Sequence, residues 1–325
     1  MKILLATDGS ANAEAALEVV LHRPWETGSE IKVLCVVEPL HEKVNKVVGM
    51  FGLGKTANDA RARFMEKTNE LVKNYAGRLT EKFGADKVSA EVKEGRVKET
   101  IISEAKAFKA DTIVLGAHGR NETGEFLFGS IPEFVLSHAS CSVEILRTAN
   151  LSTMLTEIER QQPVEEDKYL VALDDSDCSD ATLAEILKRN WPPKPFFKVI
   201  SVVEPLPYQA YSGLGPWEGS GTEDYVKLVS KTMEAEQGTA HKVVENASKK
   251  IKEKFADAEV STQLFDGYAK DQILACAKDW PADLIIMGSH GRGGFMEFVL
   301  GSVSKATATH APCSVLVVHS NPKKS

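Results

Sequence analysis

Residues 110–120 read ADTIVLGAHGR, and residues 282–292 read ADLIIMGSHGR. Each is a short aliphatic run that ends on Gly-x-x-Gly: Gly116 and Gly119 in the first, Gly288 and Gly291 in the second. A continuous apolar run of this length, closed by glycine, fits a strand buried on both faces, and hence a parallel sheet covered by helices. The two stretches lie 172 residues apart, so the pattern is an internal repeat, and a repeat sets the architecture before any single element does.

Working outward, FLFGS at 126–130 returns as FVLGS at 298–302 with the same offset. Towards the N-terminus the offset is 166: KILLATDGS at 2–10 matches KYLVALDDS at 168–176, KVLCVVEPL at 32–40 matches KVISVVEPL at 198–206, and Trp25 matches Trp191. The second copy therefore carries six extra residues between these blocks. This divides the chain into a domain at 1–148, a polar linker at 149–167 containing Pro163, and a second domain at 168–325.

In the first copy, β-branched runs predict strands over 2–7, 31–37, 88–93, 111–116 and 142–147, with helices over 11–22, 57–82, 96–108 and 130–138. The second copy repeats the strands near 168–173, 197–203, 258–264, 283–287 and 314–319. The fold class is α/β: two tandem doubly wound domains, each a five-stranded parallel sheet of order 3-2-1-4-5 flanked by helices, with right-handed crossovers.

The net charge is −7 and the sequence pI near 5.7, which argues against nucleic-acid or anionic-membrane binding, since both need a positive field. No apolar stretch reaches the length of a membrane span, and the N-terminal apolar run is too short for a signal peptide. Cys35, Cys141, Cys178, Cys276 and Cys313 form no CxxC pair, which fits buried thiols in a reducing, cytoplasmic compartment. No His/Cys spacing of zinc type and no nucleophile–base constellation appears, so neither a metal site nor catalytic residues are assigned.

The chemistry concentrates in Gly-x2-Gly-x9-Gly-Ser: Gly116, Gly119, Gly129 and Ser130, then Gly288, Gly291, Gly301 and Ser302. Glycine permits tight turns and close ligand approach, and the last Gly-Ser opens a helix whose free N–H groups suit a phosphate. The bland alternative is that these glycines only make tight turns. Asp8 and Asp174 end the first strand of each copy, at the switch point beside the glycine turn. An acceptor there can read an adenine amino group or a ribose hydroxyl. Alternatively, each closes an Asx-turn or caps the next helix, a task Ser10 and Ser176 can also perform.

With KILLATDGS, GAHGR…FLFGS, GSHGRGGFMEFVLGS and HAPCSVLVV at 310–318, the chain resembles the universal stress protein family over nearly its whole length, twice, and specifically its ATP-binding branch. The resemblance implies an adenine nucleotide, ATP or else ADP or AMP, with Mg2+ accompanying it. It implies that Asp8 and Asp174 contact adenine or ribose, and that the backbone of Val36 and Val202 contacts adenine. The glycines with Ser130 and Ser302 would hold phosphates, and Arg120 and Arg292 would add positive charge. It further implies fifth strands that pair across the two domains, an intramolecular pseudo-dimer, and homodimers are an additional expectation. The expected function is a stress-response or signalling module with at most slow hydrolysis. A true ATPase or adenylyl-transferring enzyme, or a nucleotide-free protein-interaction scaffold, is the alternative.

Some residues depart from the family pattern. The first motif loop, RNETGEFLF, places Glu122 and Glu125 near the expected phosphates, whereas the second, RGGFMEFVL, has only Glu297, so the second site is expected to bind more tightly. Asp175 in place of Gly9 works in the opposite direction. Residues 49–56, GMFGLGKT, satisfy the P-loop pattern but do not directly follow a strand, and YSGLGPWEGSGT in the second copy has no lysine there. The 39–57 and 205–222 segments read as glycine-rich loops. His118 and His290 lie inside the glycine turns, and His138 and His310 end matching helices as partners for the last carbonyls.

Overall fold

A computed structural model of the chain describes residues 1–39, 54–118, 128–147, 167–205, 221–291 and 300–319. The expected linker lies almost wholly outside these residues, as do Gly119, Arg120, Arg292, most of both motif loops and most of the two glycine-rich loops.

The described residues fall into two compact units. The first contains β1 (Lys2–Ala6), α1 (Ala11–His22), β2 (Glu30–Val37), α2 (Gly54–Phe83), β3 (Val88–Glu94), α3 (Val97–Phe108), β4 (Thr112–Gly116), α4 (Ser130–His138) and β5 (Ser142–Leu146). The second contains β6 (Lys168–Ala172), α5 (Asp177–Lys188), β7 (Phe196–Val203), α6 (Gly221–Lys254), β8 (Glu259–Asp266), α7 (Ala269–Asp279), β9 (Leu284–Gly288), α8 (Ser302–His310) and β10 (Ser314–Val318).

The strand order is β3-β2-β1-β4-β5 in the first unit and β8-β7-β6-β9-β10 in the second. The paired strands are parallel, for example Ile3↔Ile31 and Ile3↔Thr112, and Tyr169↔Phe197 and Tyr169↔Leu284. Each unit is thus a doubly wound sheet of order 3-2-1-4-5, as the apolar runs imply. α1 packs against α2 and α3 against α4, and α5 and α6, and α7 and α8, pair in the same way. Right-handed crossovers put these pairs on opposite faces of each sheet.

Buried residues of the central strands show why the runs are continuous: Ile3, Leu5, Val33 and Val114 meet Leu17, Tyr75 and Leu79 on the α1–α2 face. In the second unit Tyr169, Val171, Phe197 and Val199 meet Leu183, Ile186, Trp191 and Ile251. Duplication extends to single hydrogen bonds. Trp25 Nε1 donates to the Val20 carbonyl at 2.8 Å and Trp191 Nε1 to that of Ile186 at 3.0 Å. The Lys2 amide donates to Asp111 at 2.8 Å and the Lys168 amide to Asp283 at 2.9 Å, tying the fourth strand to the first.

The copies also differ. Glu144 is wholly buried on β5 and meets Arg23 at 2.6 Å, whereas Leu316 takes the corresponding place on β10. The helix following β2 begins at Gly54, so the helix half of the P-loop pattern is present. Residues 49–53 of the pattern lie outside the described residues, and the last described strand before it, β2, ends at Val37.

Candidate functional site

At the switch point of each domain, the first and fourth strands end side by side. In domain 1, β1 gives way to Thr7, Asp8, Gly9 and Ser10. The Ser10 amide donates to Asp8 Oδ1 at 2.9 Å, an Asx-turn, and Ser10 Oγ accepts from the Ala13 amide at 3.3 Å as the N-cap of α1. Gly9 makes this turn at φ +73°, a region that suits glycine.

Domain 2 has Asp175 at that position, with no positive φ, and the turn is wired differently. Ser176 Oγ and Ser179 Oγ both donate to Asp174 Oδ1, the latter at 2.7 Å, while the Asp174 amide donates to Ser179 Oγ at 2.8 Å. The helix cap is again serine: Ser176 Oγ accepts from the Ser179 amide at 3.3 Å. Asp174 is thus held by Oδ1, and Oδ2 is the oxygen that faces the glycine turn. A Cβ on Gly291 would lie 2.7 Å from Asp174 Oδ2. The aspartate and the second glycine of the motif, 117 residues apart in sequence, meet as strand order 3-2-1-4-5 requires. Ser179 is a site residue that the motif reading did not find, although its place in the first turn after Asp174-x-Ser176 was a usable signal.

The first glycine of each motif has a purpose internal to the fold. A Cβ at Gly116 would fall 2.6 Å from Asn12 Cβ and 2.9 Å from the Asn12 carbonyl carbon. At Gly288 it would fall 2.8 Å from Cys178 Cβ and 3.2 Å from the Cys178 carbonyl carbon. These two glycines let α1 and α5 reach the end of the fourth strand, a demand that exists without any ligand.

The third glycine returns the motif loop to the strand end and opens the next helix. The Gly129 amide donates to the Ala117 carbonyl at 3.0 Å and the Gly301 amide to that of Ser289 at 2.8 Å, so the loop returns to the strand end. Gly129 and Gly301 are the N-cap residues of α4 and α8, extended at φ −70° and −62°, and neither helix receives a side-chain cap. The first intrahelical bonds start from the Glu133 and Lys305 amides, to Gly129 and Gly301. The amides of Ser302, Val303 and Ser304 thus precede the ladder, as do those of Ser130 and Ile131 (Pro132 has none). Ser130 and Ser302 are exposed at these N-termini. Ser304, buried, fixes α8 by donating to the Gly288 carbonyl at 2.8 Å. A Cβ at Gly301 would lie 3.0 Å from the Ser289 carbonyl oxygen, so the close return of the loop also favours glycine.

Val36 and Val202 lie where the second strand runs past the first: β1 pairing ends at Ala6↔Leu34 and β6 pairing at Ala172↔Ile200. Their β1- and β6-facing backbone edges therefore border the same crevice. His118 is buried, with its carbonyl 3.5 Å from Ser10 Oγ. His290 Nδ1 lies 3.0 Å from Ser289 Oγ, and burial pushes its pKa below the ordinary value, so the ring is neutral at pH 7. His138 and His310 hydrogen-bond through Nδ1 with the Phe134 and Ala306 carbonyls at 2.8 and 2.9 Å, one turn back in their own helices. Among the described residues, no group of three or more His, Cys, Asp or Glu side chains is placed to hold a metal ion. No described helix is long and apolar enough to cross a membrane.

Fold and site together define a tandem doubly wound α/β protein with an uncapped helix N-terminus and an acidic strand end at each switch point. The family model for the "Universal stress protein family" matches residues 1–147 and again 167–319, and the chain belongs to that family. It is similar to a universal stress protein of Methanocaldococcus jannaschii, 33% identical over 125 residues, which are 38% of this chain and 65% of the relative. It is similar along almost its full length to a universal stress protein of Mycolicibacterium smegmatis, 23% identical over 97% of this chain and 96% of the relative. The crystal structure of a universal stress protein from Archaeoglobus fulgidus shares the fold with a TM-score of 0.55 at 22% identity, covering 99% of this chain and 97% of the other.

Proposed function

We propose that the chain binds an adenine nucleotide, ATP or its hydrolysis products, and acts in the cytoplasm as a stress-response or signalling module whose partner contacts depend on nucleotide occupancy. The observation that carries the reading is in domain 2: the uncapped amides opening α8 lie on the same crevice as Asp174 Oδ2, which faces Gly291. Amides at a helix start, with the dipole behind them, favour a phosphate. A carboxylate oxygen at the neighbouring strand end accepts a ribose hydroxyl or an adenine amino hydrogen. Val202 would supply backbone contacts to the base, Gly288, Gly291, Gly301 and Ser302 the phosphate cradle, and Arg292 added charge. Asp8, Val36, Gly116, Gly119, Arg120, Gly129 and Ser130 would do the same in domain 1. A magnesium ion would be carried on the nucleotide's own phosphates.

Among the described residues near the α8 N-terminus the imidazole is His290, whose Nδ1 meets Ser289 Oγ and whose Nε2 is buried, with no carboxylate bonded to it to orient it as a general base. Hydrolysis is therefore expected to be slow. The domain 2 pocket is expected to bind more tightly, because Glu122 and Glu125 add negative charge to the first motif loop.

Calorimetry with MgATP tests the proposal. Valine at Gly301 adds bulk against the Ser289 carbonyl and displaces the α8 N-terminus. Gly301→Val should remove the tighter site, and Gly129→Val only the weaker one. Absence of binding to the wild-type protein, or no loss in either variant, refutes nucleotide binding through these motifs. Turnover measured with magnesium separates a binding module from an ATPase.

A further inference from the structure

β8 is the outer strand of the domain 2 sheet and is hydrogen-bonded to β7 on one side. The Glu259 amide donates to the Pro195 carbonyl at 3.0 Å and the Gly267 amide to the Val203 carbonyl at 3.1 Å. Backbone direction alternates along a strand, so the odd-numbered residues between them also spend their N–H and C=O on β7. Val260, Thr262 and Leu264 turn theirs outward, and among the described residues nothing pairs with them. Such a row is a template for another strand.

Proteins usually blunt an outer strand with charge, proline or a bulge. β3, the equivalent strand of domain 1, is blunted by charge. Glu91 and Lys93 stand on it, in an ion-pair network with Lys32 and Glu104. A β3 strand paired with its own copy about the strand centre would set Glu91 against Glu91. In β8 the stretch Val260–Phe265, VSTQLF, carries no charge, proline or glycine. The two copies of the domain therefore differ in how their outer strands are protected.

The sequence of β8 also says what fits it. In an antiparallel pair outward-facing residues oppose outward-facing residues, so even-numbered positions meet even-numbered ones and odd meet odd. Glu259 and Asp266 differ in parity, so the two acids of β8 do not face each other in any pairing of β8 with a second β8. Centred on Thr262, the pair sets Thr262 against Thr262, Val260 against Leu264, Ser261 against Gln263 and Glu259 against Phe265. Thr–Thr pairs are stabilising across strands, and no like charges meet. The side chains on the α6 face suit the same arrangement. Val260 and Leu264 pack on the core, and Thr262 Oγ1 donates to Glu245 of α6 at 3.3 Å. Because α6 lies over β7 and β8, joining two sheets at β8 brings the two α6 helices about two strand spacings apart, roughly 10 Å, the distance at which helices pack.

We propose that two copies of the chain associate through the β8 edge, as an antiparallel β8–β8 pair with its two-fold axis at Thr262, which merges two domain 2 sheets into one. The Thr262 amides bond the facing Thr262 carbonyls, and Val260 and Leu264 exchange bonds across the axis. Asp174 and the α8 N-terminus lie on other elements, so this surface is independent of the nucleotide reading.

Sedimentation equilibrium of the full chain without nucleotide tests it. Wild type should show a monomer–dimer equilibrium with Kd on the order of 10 μM, as suits a small interface. Thr262→Pro removes the central outward N–H but no bond to β7, and should raise Kd at least about tenfold with the circular dichroism spectrum unchanged. Ala90→Pro, the same position in domain 1 by the 172-residue offset, should leave Kd within about twofold. Thr262→Lys and Thr262→Glu each set like charges about 5.5 Å apart (Cα to Cα) across the axis and should each weaken the dimer about tenfold. An equal mixture of the two should associate again, a rescue that misfolded chains cannot give. A wild-type chain that stays monomeric at every concentration overturns the proposal. So does an unchanged Kd in Thr262→Pro, an equal loss in Ala90→Pro, or no rescue in the mixture.

Discussion

Placing a single methyl group on Gly288 tests whether the first motif glycine is there for the fold. The added Cβ would sit 2.8 Å from Cys178 Cβ and 3.2 Å from the Cys178 carbonyl carbon. Both belong to α5, which is fixed by its serine cap and by Leu183 and Ile186 in the core, so relief requires moving the helix rather than rotating a side chain. Overpacking of this kind costs about 1–3 kcal/mol. At about 2–4 °C per kcal/mol for a unit of this size, Gly288→Ala should lower the domain 2 midpoint by roughly 2–12 °C. Gly238→Ala is the matched control in the same domain. Gly238 is exposed in the interior of α6 with nothing within 4 Å of an added Cβ, so alanine should stabilise by about 0.5–1 kcal/mol. Scanning calorimetry, supported by urea midpoints at constant m-value, reads both. A Gly288→Ala midpoint within error of wild type refutes the close-approach argument. A drop in Gly238→Ala as large as that in Gly288→Ala would show that the effect is not specific to the strand–helix contact.

Other variants probe domain 1. Ser10→Ala removes the side chain that caps α1 and should cost about 1 kcal/mol in urea unfolding, with the helix content by circular dichroism unchanged. Glu144→Ala leaves the Arg23 guanidinium, only 13% exposed, without its buried partner and should cost about 2–4 kcal/mol. The double change Arg23→Met with Glu144→Leu, which borrows the Leu316 solution of the other copy, should recover most of that loss in the same unfolding assay. Burial opposes ionisation of Glu104, but Lys32 and Lys93 outweigh it and hold the carboxyl below its ordinary value of 4.5. A lowered folded-state pKa stabilises above the unfolded value and is lost as pH falls through the folded one. Glu104→Gln should thus lower stability at pH 7 and flatten the loss between about pH 5 and pH 3, seen in urea midpoints against pH.

Much of this protein was legible in one dimension. A buried parallel strand must be apolar on both faces, so LLA, VLCVV and TIVLG marked their elements by composition alone, and the strand limits agree with the structure to within a residue or two. Duplication supplied a second reading of each element, and the motif spacing located both helix starts at Ser130 and Ser302. These are local properties, in which neighbours in sequence are neighbours in space.

The contacts that decide chemistry are not local, and the tertiary structure alone revealed them. Gly116 looked like a ligand-facing glycine, but its tightest neighbour is Asn12, brought there by the β1–β4 adjacency. Asp174 offered two oxygens, and only the folded turn shows Oδ1 bound to Ser176 and Ser179 while Oδ2 faces Gly291. Sequence specifies which groups each segment offers; close packing of distant segments decides which of those groups are spent on one another and which are left to meet a ligand.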